Sequence, residues 1–299
     1  MSRIYCLSTV DLDRVFQVDH LPAHDEKLFA TAYSEGAGGQ GVYVARALAG
    51  LGAPVTFVGT VGDDMTGAAL VAAMEAIPGL DVQITRLPGE ASGSCVILVD
   101  GTGEKALVLA PISNALVEKL GADLTVEPGD IVTANFFHPL SIQALFKRLR
   151  NAGALTMIDI EKTGVAVWGW PAALDTAASA DVICANQVTL DDWCAREGVT
   201  GGQIERAEAF ARALAGESRR VCVTLGADGV LAFANGDAVH IPALPIKPAN
   251  TTGAGDSFLG GLAFALRRGD DFTAAARFAC AVAADFLVHG AVDPRRLGV

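Results

Sequence analysis

The sequence predicts an α/β protein: a mostly parallel central sheet with helices on both faces, extended by a small β flap. Three observations carry this. Short apolar, β-rich runs alternate with stretches of helical spacing, which is the βαβα pattern of a sheet covered on both sides. The 299 residues are 51% hydrophobic and 19% charged, enough apolar material for a large core and too much for a disordered chain. Two β-rich segments, 14–35 and 82–110, interrupt the alternation.

In order, Ile4–Val10 reads as a strand, Val42–Leu51 as a helix, Val55–Thr60 as a strand and Gly67–Ala76 as a helix. The pattern recurs with strands at Ile131–Ala134, Leu155–Ile160, Val182–Cys184 and Val221–Leu225. Helical segments fall near 139–152, 171–179, 188–196 and 203–215, and two Ala-rich helices close the chain near 255–268 and 271–288. In 82–110, Ser94–Val99 leads through Asp100-Gly101-Thr102-Gly103 into Lys105–Leu109, and Asp-Gly between apolar runs signals a hairpin. No repeat or linker divides the chain, so a single domain over 1–299 is expected, with a flap from about 14–35 and 82–110.

There are 22 Lys and Arg against 34 Asp and Glu, a net charge of −12. That balance argues against a nucleic-acid partner, which needs clustered cations. A small molecule is the expected partner, and an anionic one must be held by local devices such as helix N-termini or a bound cation. Cys6, Cys95, Cys184, Cys194, Cys222 and Cys280 form no C-x-x-C pair and read as reduced core residues of a cytosolic protein. Charges at Arg3, Asp11, Asp13 and Arg14 break any signal-peptide pattern. Uncharged stretches such as 47–62 and 131–146 fall short of the roughly 20 residues of a membrane span. The expectation is a soluble, cytoplasmic protein with no membrane partner.

The richest stretch is Asn250-Thr251-Thr252-Gly253-Ala254-Gly255-Asp256-Ser257, which ends a loop and opens a helix. Glycines there let successive backbone N–H groups face an anion at the positive end of the helix. An acid at 256 makes sense beside a phosphate if it accepts a proton from a nucleophilic hydroxyl. On spacing alone the run reads equally well as a plain helix start, with Asp256 complementing the dipole.

The run resembles the Asp-Thr-x-Gly-Ala-Gly-Asp signature of the ribokinase-like carbohydrate kinases, the PfkB family. Gly38-Gly39-Gln40-Gly41 with Ala45-Arg46-Ala47-Leu48-Ala49-Gly50-Leu51-Gly52 resembles the family's N-terminal signature. Gly59-Thr60-Val61-Gly62-Asp63-Asp64-Met65-Thr66-Gly67 and Thr224-Leu225-Gly226-Ala227-Asp228-Gly229 resemble two further family stretches, and Ser8–Asp13 sits where members carry a substrate-binding Asp.

The resemblance implies a ribokinase-like three-layer sandwich with a β lid. It also implies an ATP-dependent phosphotransferase acting on a hydroxyl, primary by preference, of a sugar or nucleoside-like molecule. Asp256 would be the catalytic base, and Gly253, Ala254 and Gly255 the anion hole. Asp13, Gly38 and Gly39 would face the acceptor, while Thr224, Gly226 and Gly229 would border the nucleotide with Asn186 near its phosphates. ATP and Mg²⁺ are the implied cofactors, K⁺ a further monovalent cation, and a homodimer through the lid the implied assembly.

Three positions depart from the pattern. Tyr43 stands where many members have a sugar-binding Asn, Thr189 replaces the acid of Asn-x-x-Glu, and Asn250 replaces the first Asp of the signature near the members' monovalent cation. Two other function classes remain: a noncatalytic ligand-binding protein on the same fold, and a dinucleotide-dependent oxidoreductase. The second rests on Gly36-Ala37-Gly38-Gly39-Gln40-Gly41, which formally fits G-x-G-x-x-G, with Asp63 and Asp64 as distant acids. Asp159-Ile160-Glu161, at a strand end, and His138 are further pocket candidates, and Cys280 one near the nucleotide base.

Overall fold

The structure is a computed structural model that describes residues 2–103, 105–110, 112–216, 219–247 and 251–299. The chain runs β1 (Ile4–Leu7), β2 (Asp11–Gln17), β3 (Ala32–Gly38), α1 (Gln40–Gly50), β4 (Val55–Gly62), α2 (Met65–Glu75), β5 (Leu80–Leu87), β6 (Gly93–Val99), β7 (Lys105–Leu109) and α3 (Asn114–Lys119). It continues through β8 (Ile131–Asn135), α4 (Pro139–Asn151), β9 (Leu155–Ile160), α5 (Lys162–Ser179), β10 (Val182–Asn186), α6 (Gln187–Glu197) and α7 (Gln203–Ala215). Then follow β11 (Arg220–Thr224), β12 (Val230–Ala234), β13 (Asp237–Ile241), α8 (Ala254–Arg268), α9 (Phe272–His289) and α10 (Pro294–Leu297).

Nine strands form the large sheet in the order β13-β12-β11-β10-β9-β8-β1-β4-β5. From β11 to β5 every pair is parallel; β12 and β13 are antiparallel additions. One face buries Leu48, Met74, Phe258, Leu262 and Ala276 from α1, α2, α8 and α9; the other buries Leu116, Phe146, Trp170, Leu190 and Phe210 from α3 to α7. Strands covered on both sides need apolar residues at nearly every position, which is why β4 is buried along its whole length. The strand order reverses between β1 and β8, so the crevice at their C-terminal ends is the expected ligand site of such a sheet.

A second, four-stranded sheet has the order β3-β2-β6-β7. The expected hairpin joins β6 to β7, with Val99 opposite Lys105 and Thr102 N–H bonded to Asp100. Of the segment 82–110, residues 82–87 belong instead to β5, paired with β4 at the edge of the large sheet. One-sided burial of β5 gives the alternating pattern that suggests a flap strand. The strand expected over Ile4–Val10 ends at Leu7, because the chain then leaves β1 and enters the second sheet as β2 at Asp11.

Three other differences have local causes. The β12–β13 hairpin turns at Asn235-Gly236, both at positive φ as a type I′ turn requires. The helix expected over 171–179 begins at Lys162 and breaks at Gly169, whose φ of 80° lies outside helical space. Gly36 sits on an antiparallel strand opposite Asp13, so the G-x-G-x-x-G match has no parallel βαβ unit around it. Asp64 caps α2 and Asp63 pairs with Arg86. α9 is apolar and long enough to cross a membrane, and it lies against α8 with Ala275, Ala276, Ala279 and Val282 buried.

Candidate active site

The N-terminus of α8 is held by packing on both sides. A Cβ at Gly260 would lie 3.1 Å from the Val44 carbonyl of α1, and one at Gly261 would lie 2.9 Å from Val282 of α9. Helix backbones can approach this closely only where side chains are missing. Gly253 caps the helix at φ 81°, and a Cβ there would meet Phe286 at 2.9 Å and Tyr43 at 3.3 Å. Among the described residues the Ala254 N–H reaches the Thr251 carbonyl at a long 3.3 Å, whereas the Gly255 N–H has no carbonyl acceptor. The Gly253 N–H likewise has no carbonyl acceptor among the described residues, but it is buried, whereas Gly255 is solvent-exposed. Asn250, on which the monovalent-cation expectation turns, lies outside the described residues.

Asp256 follows in the first turn. Burial pushes its carboxyl well above the usual carboxylate range, and Glu161 adds to this while Lys105 opposes it. Desolvation and a second carboxylate thus outweigh the helix dipole, which alone would favour the ionised form. Asp159, at the end of β9, is raised by burial, by Glu161 and by Asp256. Glu161 is raised by burial, against a hydrogen bond from Gln40 and the charge of Lys105.

These groups occupy the predicted crevice. Gln40 opens α1 and accepts a hydrogen bond from Asn135 at the end of β8. Gly41 N–H donates to Ser8 just beyond β1. In sheet order the strand ends present Ser8, Asn135, Asp159 with Glu161, Asn186 and Thr224.

Asp13 sits on β2 at one side of the crevice. Burial raises its pKa, while Arg46 and the Tyr43 hydroxyl pull it down. A Cβ at Gly38 would fall 1.8 Å from its carboxylate, so a glycine is needed where it lies. Gly39 caps α1. Tyr43 links the two halves, with its hydroxyl toward Asp13 and its ring against Gly253.

Sequence reasoning missed Asp11. It is 7% exposed, its Oδ1 has no hydrogen-bond partner among the described residues, and a Cβ at Gly93 would lie 1.8 Å from that atom. Burial, then Asp13, raises its pKa to about 6. Spacing of two on a strand puts Asp11 and Asp13 on one face, which was the available signal. Also missed was Lys105, the first residue of β7, which donates from Nζ to Thr252 Oγ1 at 2.7 Å and so joins the second sheet to the loop before α8.

On the other side, Asn186 and Thr224 are register partners at the ends of β10 and β11. Asn186 Oδ1 caps α6, accepting from Thr189 N–H and Thr189 Oγ1 at 3.0 Å each. Thr189 is fully buried and turned inward. Gly226 starts a 3₁₀ turn, and the Gly229 carbonyl accepts from Leu225 N–H at 2.7 Å. His138 caps α4, bonded to Ser141 and edge-on to Trp168, with no contact to these groups recorded among the described residues. A separate cleft of about 820 Å³, lined by Gln143, Lys147, Arg150 and Asp175, opens at the opposite end of the strands.

The arrangement places the exposed Gly255 N–H, the Asp256 carboxylate and the carboxylates of Asp11 and Asp13 around one crevice. Residues 1–288 match the family described as pfkB family carbohydrate kinase. An aminoimidazole riboside kinase of Salmonella typhimurium is 29% identical over 257 residues, covering 79% of this chain and 76% of the relative. A ribokinase of Bacillus subtilis is 29% identical over 291 residues, covering 93% of this chain and 90% of the relative. A ribokinase structure from Thermotoga maritima superposes with a TM-score of 0.80 at 23% identity, over 99% of this chain and 97% of that one. The fold is ribokinase-like, and the chain belongs to the pfkB family of carbohydrate kinases.

Proposed function

We propose that this kinase transfers the γ-phosphate of ATP to a hydroxyl of a sugar or sugar-like small molecule, with nucleosides as the alternative acceptor class. The observation that carries the reading is Asp256 in the first turn of α8, beside the Gly255 N–H and facing the crevice residues. Asp13 and Asp11 accept hydrogen bonds from acceptor hydroxyls, with Gly38 and Gly39 leaving room for them. Tyr43 walls the acceptor with an aromatic face, and the hydroxyl is oriented toward Asp256. Its carboxylate takes the proton as attack proceeds, and a pKa above the ordinary range suits a base working near neutral pH. The amides of Gly253, Ala254 and Gly255 face the transferring phosphate, with Gly255 contributing most.

Asn186, Thr224, Gly226 and Gly229 border the nucleotide. Mg²⁺ fits this donor set, because it keeps several waters and uses one or two carboxylates beside phosphates; Asp159 and Glu161 are the candidates here. When bound it neutralises phosphate charge. Thr189, buried against Asn186, takes no part in holding it.

Exposed Tyr33, Leu107, Val108 and Leu109 on the second sheet support a homodimer through that sheet, working as a lid. The cysteines, all free among the described residues, support a cytoplasmic protein. The test of function is ADP release across a panel of sugars and nucleosides. A sharp acceptor preference is the expected result; nucleotide binding with no acceptor-dependent release across the panel points to a noncatalytic member.

A further inference from the structure

Asp11 and Asp13 lie two residues apart on β2 and so face the same side of the second sheet. Cys95, opposite Asp13 on β6, feels the charge of both. Asp11 itself is flanked by Gly38 on β3 and Gly93 on β6, and a Cβ at Gly39 would lie 3.7 Å from its Oδ2. The backbone leaves room for the carboxylates and for what they hold.

The two acids are not equally provided for. Asp13 has the Tyr43 hydroxyl and the charge of Arg46, a side chain held in turn by the Ala37 carbonyl and the Tyr43 ring. Asp11 has neither. Burial and Asp13 act on it in the same direction, and among the described residues no cation offsets them, since Arg14 of the same strand pairs with Glu35. Its carboxyl is also the more deeply buried, with Oδ1 unpartnered among the described residues. A buried charge without a partner is costly, so the site is completed by a ligand that brings the counter-charge. A neutral hydroxyl would meet the hydrogen bond and leave the charge standing, whereas an ammonium meets both. The net charge of −12 favours approach of a cationic molecule as well.

We infer that Asp11 recognises a protonated amine of the acceptor, so that the preferred substrate is an amino sugar or amino polyol over its neutral hydroxyl congener. The inference rests on the phosphotransfer reading above and narrows its acceptor class. The ammonium docks on the Asp11 carboxylate without covalent change, hydroxyls of the same molecule reach Asp13, and the hydroxyl to be phosphorylated points toward Asp256. Asp11 thereby sets specificity, and Asp256 the chemistry.

The experiment pairs each neutral acceptor with its amino congener at pH 7: glucosamine against glucose, fructosamine against fructose, and serinol against glycerol. Binding is read by titration calorimetry, and turnover by ADP release with ATP and Mg²⁺. The best amine should exceed its hydroxyl partner by roughly ten- to a hundredfold in affinity and in kcat/KM, the value of one hydrogen bond between charged groups. Asp11→Asn keeps the shape and drops the charge, and should bring that ratio to about one. Asp13→Asn should weaken both members of a pair and leave most of the ratio in place. Neutral members that bind as tightly as their amines across the panel overturn the inference, as does a ratio that survives Asp11→Asn or the absence of binding by any amine. An amine that binds selectively through Asp11 yet releases no ADP sinks the phosphotransfer reading and leaves the recognition standing.

Discussion

Replacing Asp11 by asparagine should stabilise the protein above pH 6 and do little below pH 4. Asp11 is buried, its Oδ1 has no partner among the described residues, and its carboxyl is raised from the ordinary 3.8 to about 6. A raised carboxyl favours the neutral form in the folded state. Folding stability therefore falls as pH climbs from about 4 to 6, and the full penalty stands above pH 6. About two pKa units correspond to about 3 kcal/mol. Asparagine keeps the shape and never carries the charge, so Asp11→Asn removes that penalty. At roughly 2 °C or more per kcal/mol for a chain of this size, melting should rise by about 6 °C at pH 8. Thermal unfolding of both proteins from pH 4 to 8 measures it, with acceptor KM as the companion. The variant should bind acceptor more weakly, since one strong hydrogen-bond acceptor is lost. A melting difference that does not change with pH refutes the assignment of the raised pKa to Asp11.

Two further substitutions test the site's scaffold. Gly253→Ala adds a left-handed strain of about 1–2 kcal/mol to the overlap with Phe286 and Tyr43; it should lower melting by several degrees and cut kcat, and an unchanged melting point would contradict the cap geometry. Asn186→Ala removes the cap on α6, bonded to Thr189 at two atoms, and should cost about 1 kcal/mol in chemical denaturation. Because Asn186 also borders the nucleotide in this account, its ATP affinity should fall as well, and stability loss without an affinity loss removes it from the site.

The central sheet was legible because strands buried on both faces are apolar runs, as at Ile131–Asn135 and Val182–Asn186. The antiparallel β12–β13 addition carries a hairpin signal in Asn235-Gly236 between apolar runs. β5 looked like a flap strand because an edge strand of a large sheet alternates as a flap does. The carboxylate at 256 and the glycines before it were readable as a local pattern, since cap, dipole and base lie within a few residues.

What surrounds them was not readable. Lys105 reaches Thr252 from 147 residues away in sequence, and Glu161 meets Asp256 only once β9 and α8 are packed. The direction of the Asp256 pKa shift depends on those neighbours.

The most direct measurement is acceptor-dependent ADP release by Asp256→Asn beside the wild type, with ATP affinity measured on both. The account predicts a loss of about 10² to 10⁴ in kcat, the contribution of a positioned base, with ATP affinity nearly unchanged. Turnover by Asp256→Asn at the wild-type rate would contradict it.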